Sequence, residues 1–349
     1  MKTSDKWQVT SDKRRPFGSS LVTRHSSLAF IILCLAGLFP QGGMMAQPQP
    51  GFTGIQRLTN RETLLRLGGA TGVSYRIDAA TNLPDWSGLL TLFSTGVNLH
   101  TDSATPFLSR RFYRAEQLTG TNHVTGDHLV TTNGDVVFHP VGHASFVMSW
   151  NGKTIYNDPT NGATPYVSFP RADLILVSHD HGDHMSSSTI DAVRGASTMI
   201  VVPPYVYTNN LSVAQRALAI QLPNGASTNV LGMNIYAVPA TNSNHPPGRG
   251  NGYVLTIADK RIYISGDTGN TSHMRELTNI DVAFLCMNRP FTMTVSEATN
   301  AVRAFRPKVV YPYHYKDSST FGNATTNAAF FKQQLGTDLG IEVRLRNWY

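Results

Sequence analysis

The chain has 349 residues, enough for two domains and a sizeable core. Its formal charge is +7, but six of the 29 basic residues and only two of the 22 acidic ones precede residue 47, leaving 23 against 20 in the remainder. That balance, with no Lys/Arg cluster interleaved with aromatics, argues against a nucleic-acid partner. The only cysteines, Cys34 and Cys286, rule out a disulfide framework and any Cys-x-x-Cys site.

Residues 1–27 are basic and rich in Ser and Thr, and residues 28–39 form an uninterrupted apolar run. The run is short for a membrane-spanning helix and suits the core of a signal peptide. Small and polar residues follow, with a cut expected after Ala46. Residues 1–46 are therefore read as a signal peptide, with an uncleaved membrane anchor as the alternative. The protein is expected to be exported, to the periplasm or the outside, or tethered to a membrane by that leader. Cys34 lies inside the run without a Gly or Ala before it, which argues against lipid attachment.

Gln47-Pro48-Gln49-Pro50-Gly51 is a linker by composition. Residues 52–118 then carry short alternating runs such as Thr63-Leu64-Leu65-Arg66-Leu67 and Val73-Ser74-Tyr75-Arg76-Ile77. Gly68-Gly69 and Asn82-Leu83-Pro84 break them, and the spacing predicts a small antiparallel β-sandwich. No catalytic pattern occurs there, so the expectation is a packing or attachment module, with carbohydrate or surface binding as the other reading. Asp85-Trp86 and Arg111-Phe112-Tyr113-Arg114 resemble a small β-module attached to exported proteins of planctomycete- and verrucomicrobium-type bacteria.

Residues 119–134 read as a polar connector and first hairpin, and from Asp135 strands alternate with helical stretches. Helices are expected at 187–194, at 213–220 and over Ala324–Leu335. Another opens at Thr294, whose hydroxyl and Glu297 three positions on make a capping box.

The densest chemistry is His179-Asp180-His181-Gly182-Asp183-His184, directly after the apolar run 172–178. The run is short, rich in aliphatic residues and bounded by Pro170 and Gly182, so it reads as a buried strand that delivers the cluster to a sheet edge. Imidazoles and carboxylates suit zinc, manganese or iron(II), and the absence of thiolate argues against a structural zinc site. A merely His-rich turn is the bland alternative, but such crowding is unfavourable without a cation to organise it. Three more ligand-type residues stand just past apolar runs: His245, Asp267 and His314. Rival machinery is absent: there is no Gly-x-Ser-x-Gly and no phosphate-binding Gly-x-x-x-x-Gly-Lys loop.

The order His179-x-His181-x-Asp183-His184, then His245, Asp267 and His314, resembles the ligand set of the metallo-β-lactamase superfamily of binuclear metallohydrolases over residues 122–349. Within it the chain is similar to the L-ascorbate-6-phosphate lactonase-like group, through Val141-Gly142-His143-Ala144-Ser145-Phe146, Tyr156-Asn157-Asp158-Pro159, Gly252-Tyr253-Val254-Leu255, Ile264-Ser265-Gly266-Asp267-Thr268 and Phe291-Thr292-Met293. The resemblance implies an α/β fold, a four-layer αββα sandwich, after the small all-β module. It implies two divalent ions, zinc first and manganese or iron(II) next. His179, His181 and His245 would hold one ion, Asp183, His184 and His314 the other, and Asp267 would bridge them. Asp183 would also orient the water and take its proton. Asp180 would support a ligand histidine from behind, and His143 would either do the same, touch substrate or be purely structural.

The expected function is an exported hydrolase using a metal-activated hydroxide on a lactone, ester, amide or phosphodiester of a small molecule. The alternative is a metal-loaded binding protein with little turnover, tethered through its β-module. Every expected ligand lies beyond residue 120, so a fragment starting there is expected to fold and hydrolyse. Of the other histidines, His25 belongs to the leader, His100, His123 and His128 are placed in polar loops, His139 on a strand, and His273 after the Asp267 loop without a site role, a place at the site mouth being its lesser reading.

Overall fold

The run that precedes the histidine cluster becomes the strand Ala172–Leu176, buried on both faces. Leu174 and Leu176 join one apolar cluster, and Ile175 with Val177 another. A strand with no polar face must sit between two covered layers, which explains its continuous apolar sequence. The computed structural model describes residues 50–119, 123–315 and 324–348, so the leader at 1–46 lies outside the described residues. No described helix is long and apolar enough to cross a membrane.

Strands and helices are numbered in chain order. The N-terminal strands are β1 (Gly51–Arg57), β2 (Thr63–Gly68), β3 (Ser74–Ala80), β4 (Ser87–Phe93), β5 (Val97–Asp102) and β6 (Phe112–Gln117). Next come β7 (Gly126–Leu129), β8 (Val136–Gly142), β9 (Ser145–Trp150), β10 (Lys153–Asn157), β11 (Ala172–Leu176), β12 (Arg194–Val202) and β13 (Ala219–Gln221). The last set is β14 (Ser227–Val230), β15 (Met233–Ala240), β16 (Gly250–Ile257), β17 (Lys260–Ile264), β18 (Val282–Cys286), β19 (Val309–Tyr313) and β20 (Glu342–Val343). The helices are α1 (Ser187–Val193), α2 (Pro204–Asn209), α3 (Val213–Arg216), α4 (Ser272–Arg275), α5 (Val295–Phe305) and α6 (Ala324–Leu335).

The two large sheets repeat one plan. Strands β7 to β10 pair antiparallel, and β11, β12 and β13 then add parallel to β10. Strands β14 to β17 pair antiparallel, and β18, β19 and β20 add parallel to β17. Their inner faces share one core, with Phe138, Phe146, Leu174 and Leu176 from the first sheet meeting Tyr253, Leu255, Ile264 and Phe284 from the second. Ile190 and Val193 of α1 and Val206 of α2 cover the outside of the first sheet, while Ala298, Val302 and Phe305 of α5 with Phe331 and Leu335 of α6 cover the second. The layers are helix, sheet, sheet, helix, as the resemblance implied. Parallel strands in such a sheet end on one edge, where ligands gather.

Helix α5 starts as expected: Thr294 caps the Glu297 amide and the Glu297 carboxylate accepts from the Thr294 amide. The helix expected at 213–220 stops at Arg216, because the chain is needed as the edge strand β13 beside β12. Helix α2, started by Pro204, was not anticipated.

The N-terminal region differs from a free-standing sandwich. Strands β1, β2 and β5 form their own three-stranded sheet, but β3, β4 and β6 extend the first large sheet to ten strands through β4 and β7. A polar cluster seals that seam. The Thr91 hydroxyl lies 2.7 Å from His128 Nε2, and His128 Nδ1 lies 2.9 Å from Asp135. Gly88 is required there, since a Cβ would come within 2.5 Å of His128 Nδ1. Ser103 donates to Glu342 at 2.7 Å, and Lys332 of α6 pairs with Glu62. His100 and His128 therefore sit on β5 and β7 instead of in polar loops. His139 lies on β8 as expected, packed against the Phe169 ring.

Candidate metal centre

Four loops, one from the first large sheet and three from the second, carry the candidate ligands at one edge of the sandwich. The 179–184 segment leaves β11 and closes into a helical turn, with the His184 and Met185 amides donating to the His181 carbonyl. Ser186 then caps α1. His245 follows β15, Asp267 follows β17, and His314 follows β19. Gly266 turns the chain at φ +57°, and a Cβ there would lie 2.7 Å from the Asn251 carbonyl oxygen. Only glycine brings Asp267 in so close to β16.

His179, His184, His245, Asp267 and His314 are buried, whereas the Asp183 side chain is 48% exposed and faces the open side. Donor atoms of His179, His181 and His245 converge, as do those of Asp183, His184 and His314, and Asp267 lies against His179 and His184. A tetrahedral ion with bonds of about 2.0–2.1 Å needs neighbouring donors about 3.3–3.4 Å apart. On the second group Asp267 Oδ1 is 3.3 Å from His184 Nε2 and 3.4 Å from His314 Nε2, and Asp183 Oδ2 is 3.5 Å from His314 Nε2. On the first group His245 Nε2 is 3.2 Å from His181 Nδ1 and 3.6 Å from Asp267 Oδ2. The Asp267 carboxylate thus offers one oxygen to each group. His179 Nε2, His184 Nε2, His314 Nε2 and Asp267 Oδ1 are buried with no hydrogen-bond partner among the described residues. Orphaned buried donors and acceptors are costly, and a divalent cation would satisfy them together. The residues fit such a group.

Supporting residues orient these rings. Asp158, at the end of β10 and fully buried, accepts from His184 Nδ1 at 2.8 Å and from the Ser178 amide and hydroxyl at 2.7 Å each. Asn242 Oδ1 lies 2.9 Å from His245 Nδ1 and also accepts the His245 amide. Both fix which ring nitrogen faces the centre. Neither role was read from the sequence. The signal for Asp158 was available: an acid just past an apolar strand and before a proline, the same placement as the ligands.

His143 reaches the centre. Its Nε2 is 2.9 Å from Asp183 Oδ2, and its ring lies 3.8 Å from that of His314 between centroids. Both histidines have left-handed backbones, φ +57° and +46°, and the His314 amide donates to the His143 carbonyl. The His143 amide donates in turn to the Trp348 carbonyl. Strained non-glycine residues in this conformation persist where surrounding contacts demand them. Among the described residues no hydrogen bond joins Asp180 to a ligand histidine, though it interacts electrostatically with His181. Its carboxylate forms a two-pronged pair with Arg249, at 2.7 Å on each bond. His273 lies exposed on α4, outside the cluster.

Charge in the cluster is divided. Burial and the neighbouring histidines hold His179 well below its ordinary value, and burial pushes His245 down to about 4. Burial works against protonated His184, but Asp267 and Asp158 outweigh it and push that ring up to about 9. Burial likewise opposes the Asp183 carboxylate, yet the His143 and His314 contacts hold it below the usual carboxylate range. The lowered values of His179, His245 and Asp183 favour the form in which each can act as a ligand, and a cation would displace the proton that Asp267 and Asp158 favour on His184.

Residues 138–314 match the family model described as the beta-lactamase superfamily domain. A UPF0173 metal-dependent hydrolase of Pyrococcus horikoshii is 32% identical over 210 residues, which cover 56% of this chain and 90% of that protein. A crystal structure of a protein assigned as a metal-dependent hydrolase, from Parabacteroides distasonis, shares 34% identity and a TM-score of 0.55, covering 64% of this chain and 99% of its own. A metallo hydrolase of Ignicoccus hospitalis has the same fold at 24% identity and a TM-score of 0.51, over 61% of this chain and 95% of its own. With this sandwich, a His/Asp cluster built to take metal at its edge and relatives matched over nearly their whole length, the chain belongs to the metallo-β-lactamase superfamily of metal-dependent hydrolases.

Proposed function

We propose that the protein is an exported hydrolase with a binuclear centre, zinc in the first instance, acting on a lactone, ester, amide or phosphodiester of a small molecule. The observation that carries this reading is the shared Asp267 carboxylate. Its Oδ1 stands at tetrahedral-edge distance from His184 and His314, and its Oδ2 faces His245. The segments that resemble the lactonase-like group tilt the proposal toward a lactone or a phosphodiester. Residues 1–46 would direct export, residues 122–349 would form the catalytic unit, and residues 52–118 would be an accessory region built onto its sheet.

Divalent ions held by His179, His181 and His245 and by Asp183, His184 and His314 would supply Lewis acidity, which brings the pKa of a water toward neutrality and polarises the attacked oxygen. The chain's own residues set the rest. Asp183 lies at the open side with its carboxylate ionised, placed to orient the water and accept its proton. His143 holds the Asp183 Oδ2 atom. Asp158 and Asn242 keep the His184 and His245 rings turned inward. A panel of chromogenic esters, lactones and bis-p-nitrophenyl phosphate, run with and without chelator beside elemental analysis, tests the proposal. Chelator-sensitive turnover with two ions per chain is expected. Bound metal with no turnover on any substrate would favour the binding-protein alternative.

A further inference from the structure

Arg249 lies four positions after His245 and directly before β16, whose first residues pack against the histidine motif. The Asn251 amide donates to the Ser178 carbonyl at 2.8 Å, and a Cβ on Gly250 would lie 3.3 Å from the His179 Cβ. Its partner Asp180 stands between two candidate ligands, His179 and His181. The guanidinium is thus tied to both loops that supply the first group of ligands. Tyr205 of α2, past the end of β12 beside β11, completes the arrangement, with the guanidinium carbon 5.0 Å from its ring centre.

A guanidinium has a side face, Nε with one Nη, and an end face made by both Nη atoms. Asp180 occupies the side face of Arg249 through Nε and Nη2. The end face remains. No described residue engages Nη1, the Arg249 side chain is 31% exposed, and Tyr205 is 41% exposed beside it. Asp180 and Tyr205 hold the plane still, so little rotamer freedom is lost when a second partner docks. Two parallel N–H donors in one plane match the two oxygens of a carboxylate.

We propose that Arg249 determines specificity: its end face receives a carboxylate carried by the substrate, next to the first ligand group. This rests on the hydrolase reading above and adds the substrate class to it. Lysine cannot replace the residue, because an ammonium can pair with Asp180 but does not present the second planar pair of donors.

The test offers the metal-loaded enzyme p-nitrophenyl hydrogen glutarate, its neutral methyl ester and a p-nitrophenyl ester ending in phosphate. The readout is the ratio of kcat/KM for the carboxylate ester over the neutral one, in wild type, Arg249→Lys and Arg249→Met. A hydrogen-bonded charge is expected to shift the ratio by about 10- to 100-fold, carried by KM, with metal content and melting temperature held in the lysine variant. An unchanged ratio overturns the proposal, and a preference for the phosphate ester overturns the carboxylate assignment. Calorimetric titration of glutarate separates this from the hydrolase reading. Glutarate binding that Arg249→Lys weakens, on a protein that hydrolyses neither these esters nor any member of the wider lactone and phosphodiester panel, sustains the carboxylate site and removes the hydrolase reading. Chelator-sensitive turnover with an unaltered ratio and no glutarate binding does the reverse.

Discussion

Asp158 accepts a hydrogen bond from His184 Nδ1 at 2.8 Å, and neither side chain has solvent exposure. The bond fixes the ring so that Nε2 points at Asp267 and Asp183. Removing such an outer partner typically costs about 10–100-fold in metal affinity. Asp158→Asn is therefore expected to weaken metal retention by that factor, seen as a lower midpoint in chelator competition. Unaltered retention would show that the ring is held by packing alone.

Metal analysis of the wild-type chain is expected to give close to two ions per molecule. Asp267→Ala removes the carboxylate that faces both ligand groups, so it should lose at least one ion. Chelation should lower the melting temperature of the wild type, because it leaves buried His and Asp atoms unpartnered. A full metal complement in Asp267→Ala would sink the bridging assignment.

Asp183→Asn keeps the side chain's volume and one oxygen but removes its charge. General-base contributions are typically about 10²–10⁴-fold, and turnover should fall by that range with much of the metal retained. Near-wild-type turnover at full occupancy, or a trapped covalent intermediate, would refute the role given to Asp183.

His100 supplies a pH dependence away from the centre. Burial first, and then the Arg346 guanidinium, push it down to about 4 from an ordinary value of 6.5. Between those two values the unfolded chain binds the proton more readily than the folded one, so stability falls as pH drops from 6.5 toward 4. Above 6.5 the ring is neutral in both states and the effect is gone. In urea titrations across that window, His100→Gln should lose midpoint less steeply than wild type. Parallel slopes would show that other groups carry the acid sensitivity.

A fragment beginning near residue 120 would keep every candidate ligand. It would also unpair β7 from β4, remove the Thr91 hydroxyl from His128 and take Ser103 and Glu62 from Glu342 and Lys332. An orphaned buried polar group costs about 1–3 kcal/mol, so the fragment is expected to melt well below the full chain even where it retains hydrolysis. An equal melting temperature would mean that the seam adds no stability.

The sequence by itself determined what depends on local pattern. The motif 179–184 marked the centre because its spacing crowds ligand types into one loop, and apolar runs before His245, Asp267 and His314 marked the other loop positions. The capping box at Thr294 and Glu297 was legible for the same reason, since both partners lie within one turn. Tertiary structure decided what depends on meetings between distant segments. Asp158 and His184 are 26 positions apart, Asp180 and Arg249 are 69, and no local period relates them. The same holds for β3, β4 and β6: alternation announced strands, but it carries no information about the sheet a free edge will join. That choice was made by β7, whose exposed hydrogen-bonding edge β4 completes.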